Sequence, residues 1–415
     1  MATEVKEVGQ RLHCGAGRPD QSSTPGDGAA VAQGSEILCP SDEARWRCIT
    51  YRAHFAECAV QDDPQEPEAQ VRSLPSRSRW VTRSALAIAA ALGLLSATAA
   101  HGAENRSAAR PRTPVQAYGK VRVCGTHLCS ASGKPVQLRG MSSHGTQWFA
   151  HCLTDRALDV LAHDWKASVL RVATYARQGG YEADPKRFTD LVNRLIDRAS
   201  ARGMYVIVDW HMLNPGDPYA DLENAKKFFK DIAQRNKKRP NVIYELANEP
   251  HSVGWPTIKS YAEKLIPVIR SQDPASVILV PTPGWATFSA SEGSDERSVV
   301  NDPVAAKNIM YTFHFYARVA AEGYMEILHR ASSKVPVFVT EWGIASWTGY
   351  GSDHVMAQKW VDQMAKDKIG WTNWSLSDND REHSVFKQGT CKAGTFSRAG
   401  SLTPNGAWIR ERIRG

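Results

Sequence analysis

The chain has 415 residues, 42% hydrophobic and 23% charged, with a net charge of +8 and a pI near 9.0. That composition supports a large buried core and excludes a charge-dominated unfolded chain. The basic residues are scattered along helix-like segments, which argues against a nucleic-acid footprint.

Residues 1–80 are rich in Gly, Pro, Ser and charge and carry no sustained apolar period, so no packed structure is expected there. Residues 81–99, "VTRSALAIAAALGLLSATA", have the three parts of a secretory signal peptide: Arg83, an apolar run from Ala85 to Leu95, and Ala97-Thr98-Ala99 at the cleavage point. The run is too short to span a membrane. Its place so far into the chain leaves two readings. Either translation begins near Val81, or residues 1–80 are a real extension before a membrane anchor. Residues 100–117 read as a short linker. The mature protein is expected to be secreted, without stable membrane association, and monomeric.

Four of the eight cysteines, Cys124, Cys129, Cys152 and Cys391, follow the signal. An even number in an exported chain reads as disulfides, and four cysteines allow three pairings. "GTHL" between Cys124 and Cys129 suits a local bridge, which would leave Cys152 to tie the start of the domain to Cys391 near its end. Zinc is the weaker reading, because Cys-x4-Cys has no matching second pair.

From Lys120 onward, short β-branched runs alternate with longer stretches of helical apolar spacing. A hairpin over 121–138, with a turn at Ser132-Gly133, comes first. Strands are then predicted at 136–139, 169–173, 205–209, 242–246, 277–280, 309–313, 337–340 and 371–374. Amphipathic helices are predicted at 153–166, 187–203 and 355–370, among others, and a last one in "PNGAWIRERIRG". In the second, Phe188, Leu191, Leu195 and Ile196 share one face, and Gly203 stands where a C-cap belongs. Eight strand–helix repeats point to an α/β fold, a (β/α)8 barrel over residues 118–415. An open doubly wound sheet is the alternative, but no glycine-rich phosphate fingerprint follows any strand.

In such a barrel the active site lies at the C-terminal strand ends. Those ends carry chemistry-bearing residues in order: Ser142-Ser143-His144 with Trp148, Arg171 with Tyr175, Asp209-Trp210-His211, Asn248-Glu249, Pro283-Gly284-Trp285, His314-Phe315-Tyr316, Glu341-Trp342 and Trp374. Two apolar strands, "NVIYELANEP" and "PVFVTEWG", each deliver a glutamate at the exit. Two such strands suggest a two-carboxylate active site.

This constellation resembles glycoside hydrolase family 5, over about residues 118–412. "NEP" at 248–250 and "EWG" at 341–343 carry the likeness. Arg171, His211, "HFY" at 314–316 and "WS" at 374–375 strengthen it, and "GMSSHGTQWF" at 140–149 and "WSLSD" at 374–378 resemble the bacterial endoglucanase branch. The resemblance implies a retaining endo-β-1,4-glucanase acting on β-glucan polysaccharide, with neither metal nor organic cofactor. It implies Glu249 as acid/base and Glu341 as nucleophile. Arg171 and Tyr316 would donate to Glu341, Asn248 would hold the sugar 2-hydroxyl, and His211 and His314 would position sugar and carboxyls. His144, Trp148, Tyr175, Trp285 and Trp374 would bind substrate. In that branch a lysine commonly follows "WSLSD" and reaches substrate hydroxyls. Here the position is Asn379, so the outer sugar contacts are expected to differ.

Each residue has a plainer reading beside this one. A lone Glu at a strand end is usually a loop charge, and Arg171 alone would more often be a structural ion pair. His211 and His314 could be satisfied core histidines or metal ligands, but no third ligand at zinc spacing accompanies them. Trp210 and Trp342 divide evenly between packing and substrate contact. His151 and His163 belong to the surface. β-Mannanase, xyloglucanase or mixed-linkage glucanase activity on the same fold is the nearest rival. A noncatalytic glycan-binding barrel and a metal-dependent hydrolase are more distant ones.

Overall fold

The computed structural model describes residues 112–320 and 322–415 and, upstream, two strands, Trp46–Thr50 and Ala56–Val60. Those two pair antiparallel within the stretch expected to lack packed structure. The predicted signal peptide at 81–99 and the linker up to residue 111 lie outside the described residues. The end of that linker is helical. Thr113 and Gln116 form a capping box that starts the helix Pro114–Tyr118, with Pro in its first turn.

Eight strands then follow: β1 (Arg139–Ser143), β2 (Val169–Tyr175), β3 (Tyr205–His211), β4 (Val242–Glu245), β5 (Ile278–Val280), β6 (Ile309–Tyr316), β7 (Val337–Gly343) and β8 (Trp371–Leu376). They form a closed barrel, every neighbouring pair parallel, with β8 beside β1 and β5 beside β6. This is the expected (β/α)8 architecture. The helices between strands bury their apolar stripe on the barrel. In Pro185–Ala201 that stripe includes Phe188, Val192, Leu195 and Ile196. Gly203 follows its end with φ +68, the conformation a helix stop requires.

The first strand departs from expectation. It runs Arg139–Ser143 rather than 136–139. Val136 and Leu138 instead plug the barrel floor with Val121, Leu128, Tyr205, Ile207 and Phe338. The ladder starts only where Gly140 lets the backbone close on β2, since a Cβ there would sit 1.8 Å from the Val169 carbonyl oxygen. The preceding hairpin pairs Arg122–Cys124 with His127–Cys129, so it reverses at Gly125-Thr126, ahead of the predicted Ser132-Gly133 turn. The helix predicted at 153–166 is an α-turn, Asp155–Asp159, continued as a π-helix, Val160–Asp164. Cys124 bonds to Cys129 and Cys152 to Cys391.

Strand alternation stacks the interior in layers. Along β2, Val169 lies in the floor, Arg171 above it, and Ala173 and Tyr175 at the mouth. On β3 the same face carries Tyr205, Ile207, Asp209 and His211, and on β4 it carries Ile243 and Glu245. A hydrophobic floor therefore supports a charged middle layer.

Candidate active site

Arg171 is the hub of that middle layer, with a fully buried side chain. Nε and Nη2 donate to Glu245 Oε2 and Oε1 at 2.7 and 3.2 Å. Nη1 donates to Glu341 Oε2 at 2.9 Å and to Ser142 Oγ at 3.3 Å. Nη2 also donates to Asn248 Oδ1 at 2.7 Å and lies 3.0 Å from Asp209 Oδ2. A planar five-donor fork can serve three carboxylates and an amide at once, which a lysine cannot.

Glu341 reaches this hub because β7 carries a bulge. Opposite β6, Thr312 pairs with Phe338 but His314 pairs with Glu341, so β7 holds one extra residue. Thr340 and Glu341 then both face inward, where alternation alone would send one out. Tyr316 Oη donates to Glu341 Oε1 at 2.6 Å. Each oxygen of this carboxylate thus has a donor, one from Arg171 and one from Tyr316.

Glu249 sits just past β4, and its side chain keeps 12% exposure towards the mouth. Its Oε1 lies 2.8 Å from His314 Nδ1, and His314 Nε2 lies 2.8 Å from Thr340 Oγ1. Burial opposes a charge on His314. Hydrogen bonds to Glu245 and Glu249 and the negative charges of Glu341 and Glu249 outweigh it and push the imidazole up to about 9. His314 engages Oε1 of Glu249 through Nδ1, and among the described residues no hydrogen bond engages Oε2. Glu249, His314 and Glu341 each place a donor atom within 4.8 Å of the other two. The spacing alone would suit a divalent cation, but both His314 nitrogens are already engaged. The group of His151, Cys152, Asp378 and Cys391 is no metal set either, since its two sulfurs form a disulfide.

His211 Nδ1 lies 2.7 Å from Asp209 Oδ2. Burial and the nearby Arg171 cation bring His211 down to about 3, so the ring is neutral at ordinary pH. Burial raises the Asp209 carboxyl well above its usual range despite Arg171. Tyr175 stacks on His211 at 4.2 Å, and Trp374 stacks on it at 5.5 Å. Burial and the charges of Glu341, Glu249 and Asp209 keep the Tyr175 phenol protonated.

The remaining predicted residues line the mouth. His144 packs 4.9 Å from Trp374, and Trp148 meets Tyr175 edge-on at 5.0 Å. Burial holds His144 neutral, down to about 3. Trp285 lies at the β5 exit with φ +59, held by its N–H donating to the Pro250 carbonyl at 3.0 Å. Its ring stacks on His251 at 3.6 Å and stays 37% exposed. Trp210 and Trp342, evenly divided in sequence, are both packing residues. Trp210 packs on Tyr181 and Phe228, and Trp342 on Phe315 and Trp371.

Sequence reasoning missed Glu245, Thr340 and His383, and it placed Asp209 at a strand end without giving it a role. Glu245 had a signal: a carboxylate inside an apolar strand, two residues from the inward Ile243. His383 had none. It lies in the loop after β8, its ring 6.3 Å from that of His144.

The family model for cellulase, glycosyl hydrolase family 5, matches residues 129–380. The chain is 54% identical over 303 residues to Endoglucanase E-5 of Thermobifida fusca, covering 73% of this chain and 65% of that protein. It is 48% identical over 306 residues to Endoglucanase MaCel5A of Microbulbifer sp. (strain ALW1), covering 73% of this chain and 59% of that protein. It thus spans less than two thirds of the length of these curated relatives. The crystal structure of the Thermobifida fusca endoglucanase Cel5A catalytic domain superposes with a TM-score of 0.73 at 53% identity, covering 73% of this chain and 100% of that one. A glutamate-to-glutamine variant of that domain, solved in complex with cellotetraose, superposes equally well.

Proposed function

From its membership in glycosyl hydrolase family 5, we propose that this chain is a secreted, monomeric endo-β-1,4-glucanase that cleaves cellulose-type glucans with retention of configuration. The observation that carries the reading is that a carboxyl oxygen of Glu249 lies within 4.8 Å of one of Glu341 in the barrel mouth, with no room for a water between the groups as inversion requires. Retaining glycosidases need about 5–5.5 Å, whereas inverting ones need about 6.5–9.5 Å to admit a water.

In this reading Glu341 is the nucleophile. Arg171 and Tyr316 each donate to one of its oxygens, so the carboxylate is held and aimed. Glu249 gives the proton on Oε2 to the glycosidic oxygen while Glu341 attacks the anomeric carbon and the aglycone departs. Glu249, now a carboxylate stabilised by the His314 N–H, then takes a proton from water as that water displaces Glu341 from the sugar. Asn248, its carbonyl fixed by Arg171, presents its amide N–H₂ to the sugar 2-hydroxyl. Trp374 and Tyr175 flank the reacting sugar, and Trp148 and Trp285 offer apolar faces farther along the chain. No step requires a metal or an organic cofactor.

Export is supported by the signal-like segment at 81–99 and by two disulfides, Cys124–Cys129 and Cys152–Cys391, which suit an oxidising compartment. The test of function is release of reducing ends from carboxymethyl cellulose, mannan and barley glucan, by the protein and its Glu341→Ala variant. Fastest release from carboxymethyl cellulose, absent in the variant, is expected. Faster release from mannan would move the assignment to another glycanase of the same fold.

A further inference from the structure

Beyond Trp374 the cleft wall continues into two loops that are fastened to each other. One follows β7, through residues 345–352; the other follows β8, through 378–384. Glu382 N donates to the Gly349 carbonyl at 2.8 Å, and Gly351 N donates to Glu382 Oε1 at 3.1 Å. Asn405 Nδ2 bridges Ser352 Oγ and the Glu382 carbonyl, both at 2.7 Å. Within the first loop, Gly349 N donates to the Ser346 carbonyl at 2.9 Å and Ser346 Oγ donates to the Tyr350 carbonyl at 2.8 Å.

At the corner of this tied turn stand two exposed aromatic residues, Trp347 at 70% and Tyr350 at 54%. The Arg381 guanidinium lies 4.5 Å over the Tyr350 ring. Among the described residues, Trp347 has neither a ring partner nor a hydrogen bond. A single exposed apolar side chain needs no explanation by itself. Here the backbone is held by its own hydrogen bonds, so the turn has no need of the indole, and the turn adjoins the catalytic mouth. A Cβ on Gly349 would stand 2.9 Å from the His383 ring. That ring lies 6.3 Å from His144, which lies 4.9 Å from Trp374. The turn that carries the exposed pair thus abuts, at Gly349, a histidine one ring removed from the inner aromatic residues.

The polar groups fit the same picture. His383 Nδ1 is buried without a hydrogen-bond partner. Asn379 turns inward, its side-chain oxygen accepting from Arg381 N at 2.9 Å and from Ser384 Oγ. The surface therefore offers aromatic faces and one guanidinium rather than an amide. A β-linked glucose chain presents apolar C–H faces rimmed by hydroxyls, which matches stacking on indole and hydrogen bonding to Arg381.

We propose that Trp347, Tyr350 and Arg381, on the turn that Gly349 seats against His383, form an outer subsite for a β-1,4-glucan chain that extends past the sugar at Trp374. This rests on the glucanase reading of the catalytic mouth. The test compares kcat/KM for cellotriose and cellohexaose in the full chain and in its Trp347→Ala, Trp347→Phe and Arg381→Ala variants. The hexaose-to-triose ratio is expected to fall about fivefold to tenfold in Trp347→Ala, the worth of one aromatic contact, and to recover most of that in Trp347→Phe. A ratio in Trp347→Ala equal to that of the unaltered protein would overturn the proposal. If the ratio held while the variant sedimented as a smaller species, the occupant would be a second copy of the chain instead. Hydrolysis of neither oligosaccharide by the unaltered protein would overturn the glucanase reading, and this inference with it.

Discussion

The guanidinium of Arg171 meets the carboxylate of Glu245 edge to edge, at 2.7 and 3.2 Å, with both side chains wholly buried. Glu245 never faces the mouth. By occupying one edge of the guanidinium it turns Nη1 onto Glu341 and part of Nη2 onto Asn248. Glu245 also lies 3.8 Å from His314 Nε2, so it supports both Glu341 and Glu249 through their neighbours. Breaking one side of a buried pair costs about 3–5 kcal/mol. Glu245→Gln keeps the shape and removes the charge. It is expected to lower kcat by ~10-fold or more with a smaller change in KM, and to shift the pH–rate profile. A variant that only melted earlier, with an unchanged profile per folded molecule, would reduce Glu245 to a structural role.

The two mouth glutamates should separate by substrate. On the proposed roles, Glu249→Gln is expected to lose a general acid and ~10²–10⁴ in rate on glucan. An aryl glycoside with an acidic leaving group departs without that proton, so its bond cleavage should suffer far less. Glu341→Ala should lose turnover on both. Dialysis against EDTA should leave the unaltered enzyme active, because the two nitrogens of His314 are held by Glu249 and Thr340. Loss of activity on dialysis and its return with a divalent metal would support metal-assisted hydrolysis instead.

Stability should form a dome over pH. His314 is pushed up to about 9 against an ordinary 6.5: burial opposes its charge, but the hydrogen bonds and charges of its carboxylate neighbours prevail. The fold binds that proton more tightly than the unfolded chain. The resulting stabilisation, at most about 3 kcal/mol, is full below about pH 6.5 and lost as pH rises through 9. His211 is brought down to about 3 by burial and by Arg171. Its contribution is therefore full above 6.5 and lost as pH falls towards 3, since the unfolded chain takes up the proton first. Urea unfolding from about pH 4 to 9.5 should show both limbs. His314→Gln should flatten the alkaline limb and His211→Asn the acid one.

The two disulfides should differ in weight. Cys152 and Cys391 are 239 residues apart, Cys124 and Cys129 only 5. On loop-closure entropy alone the first is worth about 5 kcal/mol and the second about 2. Cys391→Ser should accordingly lower the melting temperature more than Cys129→Ser. The reverse order would place the stabilisation in local packing of the N-terminal hairpin.

The barrel was legible because strands buried on both faces read as β-branched runs, and the runs at 169–173, 205–209 and 309–313 each fall inside an observed strand. The first strand was not. Its residues are Arg-Gly-Met-Ser-Ser, chosen for close backbone approach and hydrogen bonding, while the β-branched run before it caps the floor. The site was legible where a polar residue interrupts an apolar run at its exit, as at Glu249 and Glu341. It was not legible where geometry adds something no spacing shows. The β7 bulge turns consecutive residues inward, and the loop after β8 folds back to bring His383 beside His144.

Hydrolysis by two glutamates with retention leaves its mark on the stereochemistry of the first product. The anomeric proton of the first-formed reducing end would be followed by nuclear magnetic resonance as the enzyme cleaves cellopentaose, before mutarotation equilibrates it. Retention makes the β-anomer appear first, with the α-anomer growing in later. An α-anomer present from the start would mean that water attacks directly, and that Glu341 is a base rather than a nucleophile.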